Sequence, residues 1–326
     1  ADHLHGGEAA MLEGLIGRLA MSGIAARGAI ADSWGAAHAL ARFAARPTII
    51  APERHDASLL EPLPLAALRI RLFFDYLRTR FQEPLPLGID ADLASVALGP
   101  VADPDADRVR VVHESWVSPR TVLDVVVATG EETVLKRQPV VGVDLADYEQ
   151  QRTWATAPDG TQVPVSLVMR RGTSPDGTNP GLLYGYGSYE MSFDPYFSIA
   201  RLSLLDRGVV WSVAHVRGGG ELGRHWYDDG KMLAKRNTFT DFVAAAEHLH
   251  ETGWVARDRL AAEGGSAGGL LVGAATNLAP DRFVAVLAAV PFVDALTTIL
   301  RPDLPLTVGE WEEWGNPLSD PEVYAY

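Results

Sequence analysis

Strand-like and helical stretches alternate between residues 182 and 290, and this alternation limits the fold more than any other feature of the sequence. The predicted strands cover residues 182–186, 209–216, 260–263 and 283–290, and the predicted helices cover residues 197–206, 239–252 and 268–277. Strands that alternate with helices form βαβ units, whose parallel sheet is covered by helices on both faces. The predicted fold class is therefore α/β.

Antiparallel strands are predicted ahead of this region. Short β-rich stretches at residues 108–116, 120–127 and 133–137 predict a meander, because Gly130 allows a tight turn between the last two. Pro158-Asp159-Gly160 predicts a hairpin turn, since proline presets φ and glycine accepts positive φ. We therefore expect one domain to end at residue 147 and a second to span residues 148–326.

The first hundred residues carry weaker patterns. Residues 8–45 are rich in alanine, and apolar residues such as Leu12 and Ile16 recur at helical spacing, which predicts a helix there. The pentapeptide Glu-Pro-Leu-Pro-Leu occurs at residues 61–65 and again at residues 83–87. Two proline-bearing loops or an internal repeat would each explain it, so residues 1–100 are left unassigned.

Charge and cysteine content exclude several classes of function. The 326 residues include 28 basic and 42 acidic ones, and the net charge of −14 argues against nucleic acid or an anionic membrane as partner. The absence of cysteine excludes a disulfide scaffold, a thiolate zinc site and a cysteine nucleophile. No His or carboxylate cluster has metal-ligand spacing, so we expect no cofactor and no metal. Because residues 1–5 lack signal-peptide character, we expect a cytoplasmic protein.

One motif carries chemistry. Gly264-Gly265-Ser266-Ala267-Gly268-Gly269 lies between a predicted strand and a predicted helix, which is the context of a G-x-S-x-G nucleophile elbow. Glycine is needed two residues before and two residues after the serine, because a Cβ there would strike the adjacent strand or helix. The N-terminus of the following helix would stabilise an oxyanion. Ser266 is therefore the candidate nucleophile.

Five segments together resemble the prolyl oligopeptidase family, and within it the oligopeptidase B branch. They are residues 154–161, 184–189, 215–223, 264–269 and 309–317. The segments follow the family's order through residues 150–326, and residues 108–147 are more weakly similar to the end of the family's β-propeller. The resemblance implies a serine peptidase with an α/β-hydrolase domain, here partial, preceded by a remnant of the propeller. Residues 1–100 carry no matching segment and stay unassigned, with a helical, propeller-derived segment as one hypothesis.

The resemblance also implies roles for single residues. Ser266 would attack the peptide, and the backbone N–H of Ala267 and the hydroxyl of Tyr186 would hold the oxyanion. A phenol with a reference pKa of ~10 keeps its proton at neutral pH and can donate to that charge. Tyr189, in the same matching segment as Tyr186, and Asp194, which follows it, are implied to contact substrate. The branch usually carries a second acid where this chain has Tyr196, which puts a preference for paired basic residues in doubt.

Glu310 and Glu312 match the acidic pair by which this branch prefers arginine or lysine before the cleaved bond. If the segment is extended, carboxylates at i and i+2 point the same way, and the neighbouring tryptophans can line a long side chain. Coulomb attraction between unit charges at ~4 Å is ~4 kcal/mol at an effective dielectric of 20, which is ample to select a cation. Short basic peptides are therefore the predicted substrates.

The other members of a catalytic triad are missing from the sequence. α/β-hydrolases order the triad as Ser, acid and His, yet all nine histidines precede Ser266. The resemblance places the family's Asp and His beyond Tyr326, so we expect a truncated chain that is inactive by itself. His215 is expected to be structural, since a base before the serine would contradict the fold's order. Gly218 to Gly220 are expected to form a loop that approaches the site closely.

Three functions remain open. The leading one is a serine endopeptidase or oligopeptidase that cleaves after Arg or Lys. An esterase or acylaminoacyl peptidase of the same fold is an alternative that Glu310 and Glu312 disfavour. The third is a non-catalytic protein that keeps the pocket and binds basic peptides without turnover.

Overall fold

The structure is a computed structural model that describes residues 93–99, 107–126 and 128–326, together with a few earlier positions. Among these, Leu12 and Ile16 are helical, and strand β1 (Gly28–Ile30) pairs in parallel with β2 (Thr48–Ile50). The predicted helix over residues 8–45 is therefore wrong at β1, where the chain pairs with β2 instead. The two Glu-Pro-Leu-Pro-Leu segments lie outside the described residues.

The chain forms two compact units. The first comprises Ala1–Gly88, Pro100–Val109 and Val126–Glu131, and the second comprises Ile89–Gly99, Arg110–Val125 and Glu132–Tyr326. Every residue singled out above as a site candidate lies in the second unit.

A four-stranded sheet forms early in the chain. Its strands, in spatial order, are β3 (Ala94–Leu98), β4 (Arg108–Ser115), β5 (Thr121–Val126) and β6 (Glu132–Arg137). β3 pairs antiparallel with β4, and β5 pairs antiparallel with β6 across a turn in which Gly130 has φ 73°. The predicted meander is confirmed, whereas β3 was not predicted because its sequence, Ala-Ser-Val-Ala-Leu, has no clear alternation.

A six-stranded sheet forms the centre of the second unit. Its strands are β7 (Tyr148–Thr156), β8 (Gln162–Arg170), β9 (Gly181–Tyr184), β10 (Val210–Ala214), β11 (Leu260–Gly265) and β12 (Ala285–Ala289). The spatial order is β12-β11-β9-β10-β8-β7, in which β9 to β12 are parallel and β7 and β8 form the predicted antiparallel hairpin. The predicted α/β class is confirmed.

Seven α-helices are described after residue 128. They are α1 (Ile199–Leu205), α2 (Arg224–Asp228), α3 (Arg236–Glu251), α4 (Ala267–Leu278), α5 (Ala295–Ile299), α6 (Thr307–Trp314) and α7 (Pro321–Ala325). The sequence predicted α1, α3 and α4. The other four are at most eight residues long, too short to show a helical period. In the described part of the chain, no helix has the length and hydropathy that crossing a bilayer requires.

Helices cover both faces of the large sheet because its strands bury alternate side chains on opposite sides. On β8, Val165 and Leu167 belong to the core cluster that includes Phe242 of α3 and Leu271 of α4. The next residue, Val168, belongs to a second cluster, which includes Leu202 of α1 and the fully buried Trp116. Side chains that alternate between two cores produce the continuous apolar run seen in this strand.

Candidate active site

Ser266 stands on a strained turn between β11 and α4. Its φ of 55° lies in the left-handed region, which is costly for a residue with a Cβ. The turn is held by backbone bonds, since the Ser266 N–H donates to Ala289 O at 2.9 Å and the Ser266 carbonyl accepts from Phe292 N at 3.1 Å. The serine is exposed. The strained turn therefore exposes the Ser266 hydroxyl at the carboxyl end of the parallel strands.

The glycines around Ser266 are required by close backbone packing. A Cβ on Gly264 would lie 2.1 Å from the carbonyl oxygen of Gly268, and a Cβ on Gly268 would lie 2.6 Å from that of Gly185. A Cβ on Gly265 would come no closer than 3.6 Å to its nearest neighbour. Both positions that the motif predicts, two residues before and two residues after the serine, therefore require glycine, and so does Gly269, where a Cβ would lie 2.6 Å from Pro291 Cα.

Two donors lie beside the serine. Ala267 is the first residue of α4, where backbone N–H groups lack intrahelical acceptors. The side chain of Tyr186 lies beside that of Ser266. Burial raises the pKa of Tyr186, and the neighbouring Ser266 opposes that rise only in part. The phenol is therefore protonated at neutral pH and able to donate to an oxyanion.

Residues 185–190, which follow β9 and contain Tyr186 and Tyr189, form the tyrosine loop. Tyr189 joins this loop to helix α6. The Tyr189 hydroxyl donates to Oε2 of Glu310 at 2.6 Å, and Trp314 Nε1 donates to the same oxygen at 2.7 Å. The rings of Tyr186 and Tyr189 are 6.3 Å apart, and the ring of Tyr189 meets that of Trp314 edge-on at 6.0 Å. The structure therefore brings Ser266, Tyr186, Tyr189 and Glu310 into one series of contacts.

The expectation that Glu310 and Glu312 point the same way was wrong. The segment is helical, not extended, and residues two apart on a helix lie on nearly opposite sides. Glu310 is half-buried against Tyr189, whereas Glu312 is exposed. Of the pair, it is Glu310 that lies in the series of contacts leading to Ser266.

Sequence reasoning missed the neighbouring Glu313. It is 2% exposed, and its carboxylate accepts from Tyr227 Oη at 2.8 Å and from Lys235 Nζ at 3.2 Å. Lys235 is buried as well, and burial lowers its pKa to about 8 although Glu313 favours its charged form. Nothing in the sequence marks Lys235, because a single lysine before a helix is common on protein surfaces.

Asp194 and Tyr196 follow the tyrosine loop. Asp194 is exposed. The ring of Tyr196 packs over the Arg201 guanidinium, whose carbon lies 4.8 Å from the ring centroid, and the Tyr196 carbonyl accepts from Arg201 Nη1 at 2.9 Å. Tyr196 therefore helps to enclose the buried Arg201. It stands at the position where the resemblance to the oligopeptidase B branch implied an acid.

The histidines near the sheet have partners other than Ser266. His215 is 2% exposed and lies 2.9 Å from Ser166 Oγ through Nε2 and 3.3 Å from Glu221 through Nδ1, and burial lowers its pKa. His248 Nε2 lies 2.7 Å from Thr153 Oγ1, and His250 contacts the backbone carbonyls of Val255 and Arg282. These contacts hold the three imidazoles inside the fold.

The glycine loop after β10 packs closely against the tyrosine loop. Gly218 has φ 97°, and a Cβ there would lie 2.1 Å from the carbonyl oxygen of Gly187. A Cβ on Gly220 would lie 2.5 Å from the carbonyl oxygen of Glu190. The expected close approach is therefore confirmed, and it supports the loop that carries Tyr186 and Tyr189.

A serine raised on a tight turn at the carboxyl end of a parallel strand, with a helix starting directly behind it, defines an α/β-hydrolase. Residues 195–326 match the model of the prolyl oligopeptidase family. Residues 195–326 thus belong to the prolyl oligopeptidase family, and the chain is similar to oligopeptidase B.

Two curated relatives show the extent of the similarity. Dipeptidyl aminopeptidase BI of Pseudoxanthomonas mexicana is 50% identical over 232 residues, which is 70% of this chain and 32% of the relative. Protease 2 of Moraxella lacunata is 46% identical over 238 residues, which is 73% of this chain and 34% of the relative. The chain therefore spans about a third of the length of the curated relatives it matches.

Two solved structures agree with this assignment. Oligopeptidase B from Leishmania major superposes with a TM-score of 0.65 at 46% identity, over 71% of this chain and 33% of that one. Oligopeptidase B from Trypanosoma brucei, with covalently bound antipain, superposes with a TM-score of 0.67 at 45% identity, over 74% of this chain and 34% of that one.

Proposed function

We propose that this chain carries the nucleophile, the oxyanion donors and the arginine-selecting carboxylate of a serine peptidase that cleaves short peptides after Arg or Lys. The observation that supports this most is the series of contacts from Ser266 through Tyr186 and Tyr189 to Glu310. It ends in a carboxylate beside aromatic rings, which suits the guanidinium and the aliphatic stem of an arginine.

The proposed reaction is acyl transfer. Ser266 Oγ gives its proton to a general base as it forms a bond to the carbonyl carbon of the peptide, and the carbonyl π electrons move to the carbonyl oxygen. That oxyanion accepts hydrogen bonds from the Ala267 N–H and the Tyr186 hydroxyl. Collapse of the intermediate breaks the C–N bond, and the base passes the proton to the leaving amine. Water then attacks the acyl group, with the base again taking and returning a proton, so that the product leaves as a carboxylic acid and the Ser266 hydroxyl is restored.

Among the described residues, no histidine that could act as a general base contacts Ser266. His215, His248 and His250 are bound elsewhere. We infer that residues 1–326 by themselves bind the substrate but hydrolyse it at a negligible rate. The triad Asp and His would then come from outside this sequence.

The domain assignment is likewise proposed. The sheet of β4 to β6 within residues 101–147 would be the end of a β-propeller, and residues 148–326 would be a partial hydrolase domain. The weak similarity of residues 108–147 to the family's propeller and the antiparallel pairing of β5 with β6 support it.

Two phosphonate probes that share a reactive group test this function. One carries an arginine side chain and the other a norleucine side chain, and both are applied to the protein at its full encoded length. We expect both probes to label Ser266, with the arginine probe reacting about tenfold faster or more. Ser266→Ala should abolish labelling, and Ser203→Ala, a change at an exposed serine on α1, should label like the parent.

Each alternative has its own outcome in this experiment. Labelling of the Ser266→Ala variant would show that another residue is the nucleophile. Equal rates for the two probes would favour the esterase or acylaminoacyl peptidase. Reversible binding of the arginine probe without any labelling would favour the peptide-binding protein.

A further inference from the structure

The ammonium group of Lys235 is buried at the junction of two segments of the candidate site. Its Nζ donates to the carbonyl oxygen of Gly187 at 2.6 Å, to Ser188 Oγ at 2.7 Å and to Glu313 Oε1 at 3.2 Å. An ammonium has three donors, and here each has an acceptor. Ser188 is fully buried, and Lys235 and Glu313 are at most 5% exposed. The group is therefore shielded from solvent and fully hydrogen-bonded.

The partners of Lys235 are sequence neighbours of the proposed site residues. Gly187 and Ser188 are the only residues between Tyr186 and Tyr189. Glu313 lies one helical turn after Glu310 on α6, and the adjacent Trp314 both donates to Glu310 and lies with its ring centroid 4.8 Å from Lys235 Nζ. One ammonium thus connects the loop that carries the oxyanion tyrosine to the helix that carries the carboxylate.

The loop has little freedom to follow any movement of this group. Gly187 has φ 69°, and a Cβ there would lie 2.4 Å from Thr238 Cγ2. Close packing of Gly218 on the other side fixes the Gly187 carbonyl that Lys235 binds. The second carboxylate oxygen of Glu313 accepts from Tyr227 Oη at 2.8 Å, so the acid is fixed too.

We propose that Lys235 and Glu313 are positioning residues, which set the distance between the Tyr186–Tyr189 loop and Glu310 and so determine the preference for a basic side chain. This inference rests on the proposed function. Neither residue touches the reacting atoms. A buried ion pair is a costly way to stabilise a fold, because apolar residues of similar volume often serve as well. Its directional hydrogen bonds, however, fix a geometry that apolar packing would leave loose.

Binding of two peptides in a Ser266→Ala background tests the proposal, since nothing is then cleaved. The peptides are fluorescent, short and identical except for arginine or norleucine at one position, and fluorescence anisotropy gives each dissociation constant. We expect the background protein to bind the arginine peptide about tenfold tighter or more. Lys235→Met combined with Glu313→Gln should reduce that ratio to about threefold or less, with norleucine binding changed by less than about threefold.

The double variant is chosen because either single change would leave an unpaired buried charge. Thermal unfolding shows whether it folds, and Tyr227→Phe, which removes only one hydrogen bond to Glu313, gives a second test if it does not. Tyr227→Phe should also lower the ratio, by about twofold to threefold. Glu310→Gln in the same background is the reference for the loss of most of the preference.

The possible results separate the inference from the function on which it rests. An unchanged ratio in the folded double variant, or an equal weakening of both peptides, would overturn the positioning role and leave the proposed function standing. A background protein that binds the two peptides equally would contradict the proposed function, and the inference would fall with it.

Discussion

The hydroxyl of Tyr189 lies 2.6 Å from Oε2 of Glu310, a residue 121 positions further along the chain. Burial and the hydrogen bond to Glu310 both raise the pKa of Tyr189 well above its ordinary value, so the phenol is neutral and donates. Tyr189 itself has φ 61°, a backbone conformation that non-glycine residues rarely adopt. The hydrogen bond therefore fixes the Glu310 carboxylate beside Tyr189, whose ring centroid lies 6.3 Å from that of Tyr186.

Replacing Glu310 by glutamine should remove most of the preference for arginine. We expect Glu310→Gln to lower kcat/KM for an arginine substrate by about ten- to a hundredfold, because a charge-assisted hydrogen bond becomes a neutral one. Glu312→Gln is the matched control, since Glu312 is exposed on the other side of α6. Equal losses on arginine and neutral substrates would show that Glu310 supports the fold instead. A loss in Glu312→Gln as large as in Glu310→Gln would show that both carboxylates contact substrate.

Removing the hydroxyl of Tyr186 should slow the chemical step. Loss of one oxyanion donor typically costs about 10²–10³ in kcat, and we expect Tyr186→Phe to fall in that range with little change in KM. Tyr189→Phe, three residues further on, should instead raise KM for arginine substrates and leave kcat for a neutral substrate nearly unchanged. The two variants are compared by steady-state kinetics on both substrates. If Tyr186→Phe kept the parent's kcat, the oxyanion role would have to be reassigned.

A methyl group at Gly264 should destabilise the domain. Gly264→Ala would place Cβ 2.1 Å from the Gly268 carbonyl oxygen, and overpacking of this kind costs about 1–3 kcal/mol or more. Gly265→Ala is the adjacent control, because its Cβ would have no neighbour closer than 3.6 Å. Thermal unfolding should show a lower Tm for the first variant and a nearly unchanged Tm for the second. Similar Tm values in both variants would contradict the tight turn.

Residues 1–326 alone should cleave peptides negligibly. The described histidines nearest the sheet are bound elsewhere, and loss of the histidine from a subtilisin-type triad costs about 10⁶ in kcat. Cleavage of an arginine-containing fluorogenic peptide is measured beside Protease 2 of Moraxella lacunata. Turnover within about tenfold of that relative would contradict the prediction. A base would then have to be sought among His215, His225, His248 and His250.

Acid should weaken the contact between Asp159, in the β7–β8 turn, and Arg217, in the loop after β10. Hydrogen bonds from Arg217 lower the pKa of Asp159 to about 2, and Arg217 is held in turn by the buried Asp241. Because the folded pKa lies below the unfolded value of about 3.9, this stabilisation is complete only above about pH 5 and is lost as the pH falls through 4 towards 2. Asp159→Asn should therefore lower Tm at pH 7, and its difference from the parent should shrink between pH 4 and pH 2. Asp258→Asn, a change at an exposed aspartate, is the control. A difference that stayed constant with pH would show that the pair with Arg217 does not contribute.

Local sequence patterns predicted much of the fold. β8, β10 and β11 were predicted because their apolar runs are short and lie next to the turn glycines Gly160, Gly208 and Gly264. Helix α3 was predicted because it is long enough to show its period. The strand β3 and the short helix α6 were missed, since too few residues carry the signal. Missing α6 led to a wrong prediction of the site, because on a helix the side chain of Glu312 points away from that of Glu310.

The sequence by itself determined the serine turn. Gly264, Ser266 and Gly268 are close neighbours in the chain, and the steric need for glycine on both sides of a strained serine is a local property. The tertiary structure alone decided which acid contacts Tyr189 and what holds it. The contacting pairs are separated by 47 to 121 residues in the chain. They are Tyr189 with Glu310, Lys235 with Ser188, and Lys235 with Glu313. Hydrogen bonds between such distant residues form only after the strands and helices pack. No local pattern in the sequence can therefore predict them.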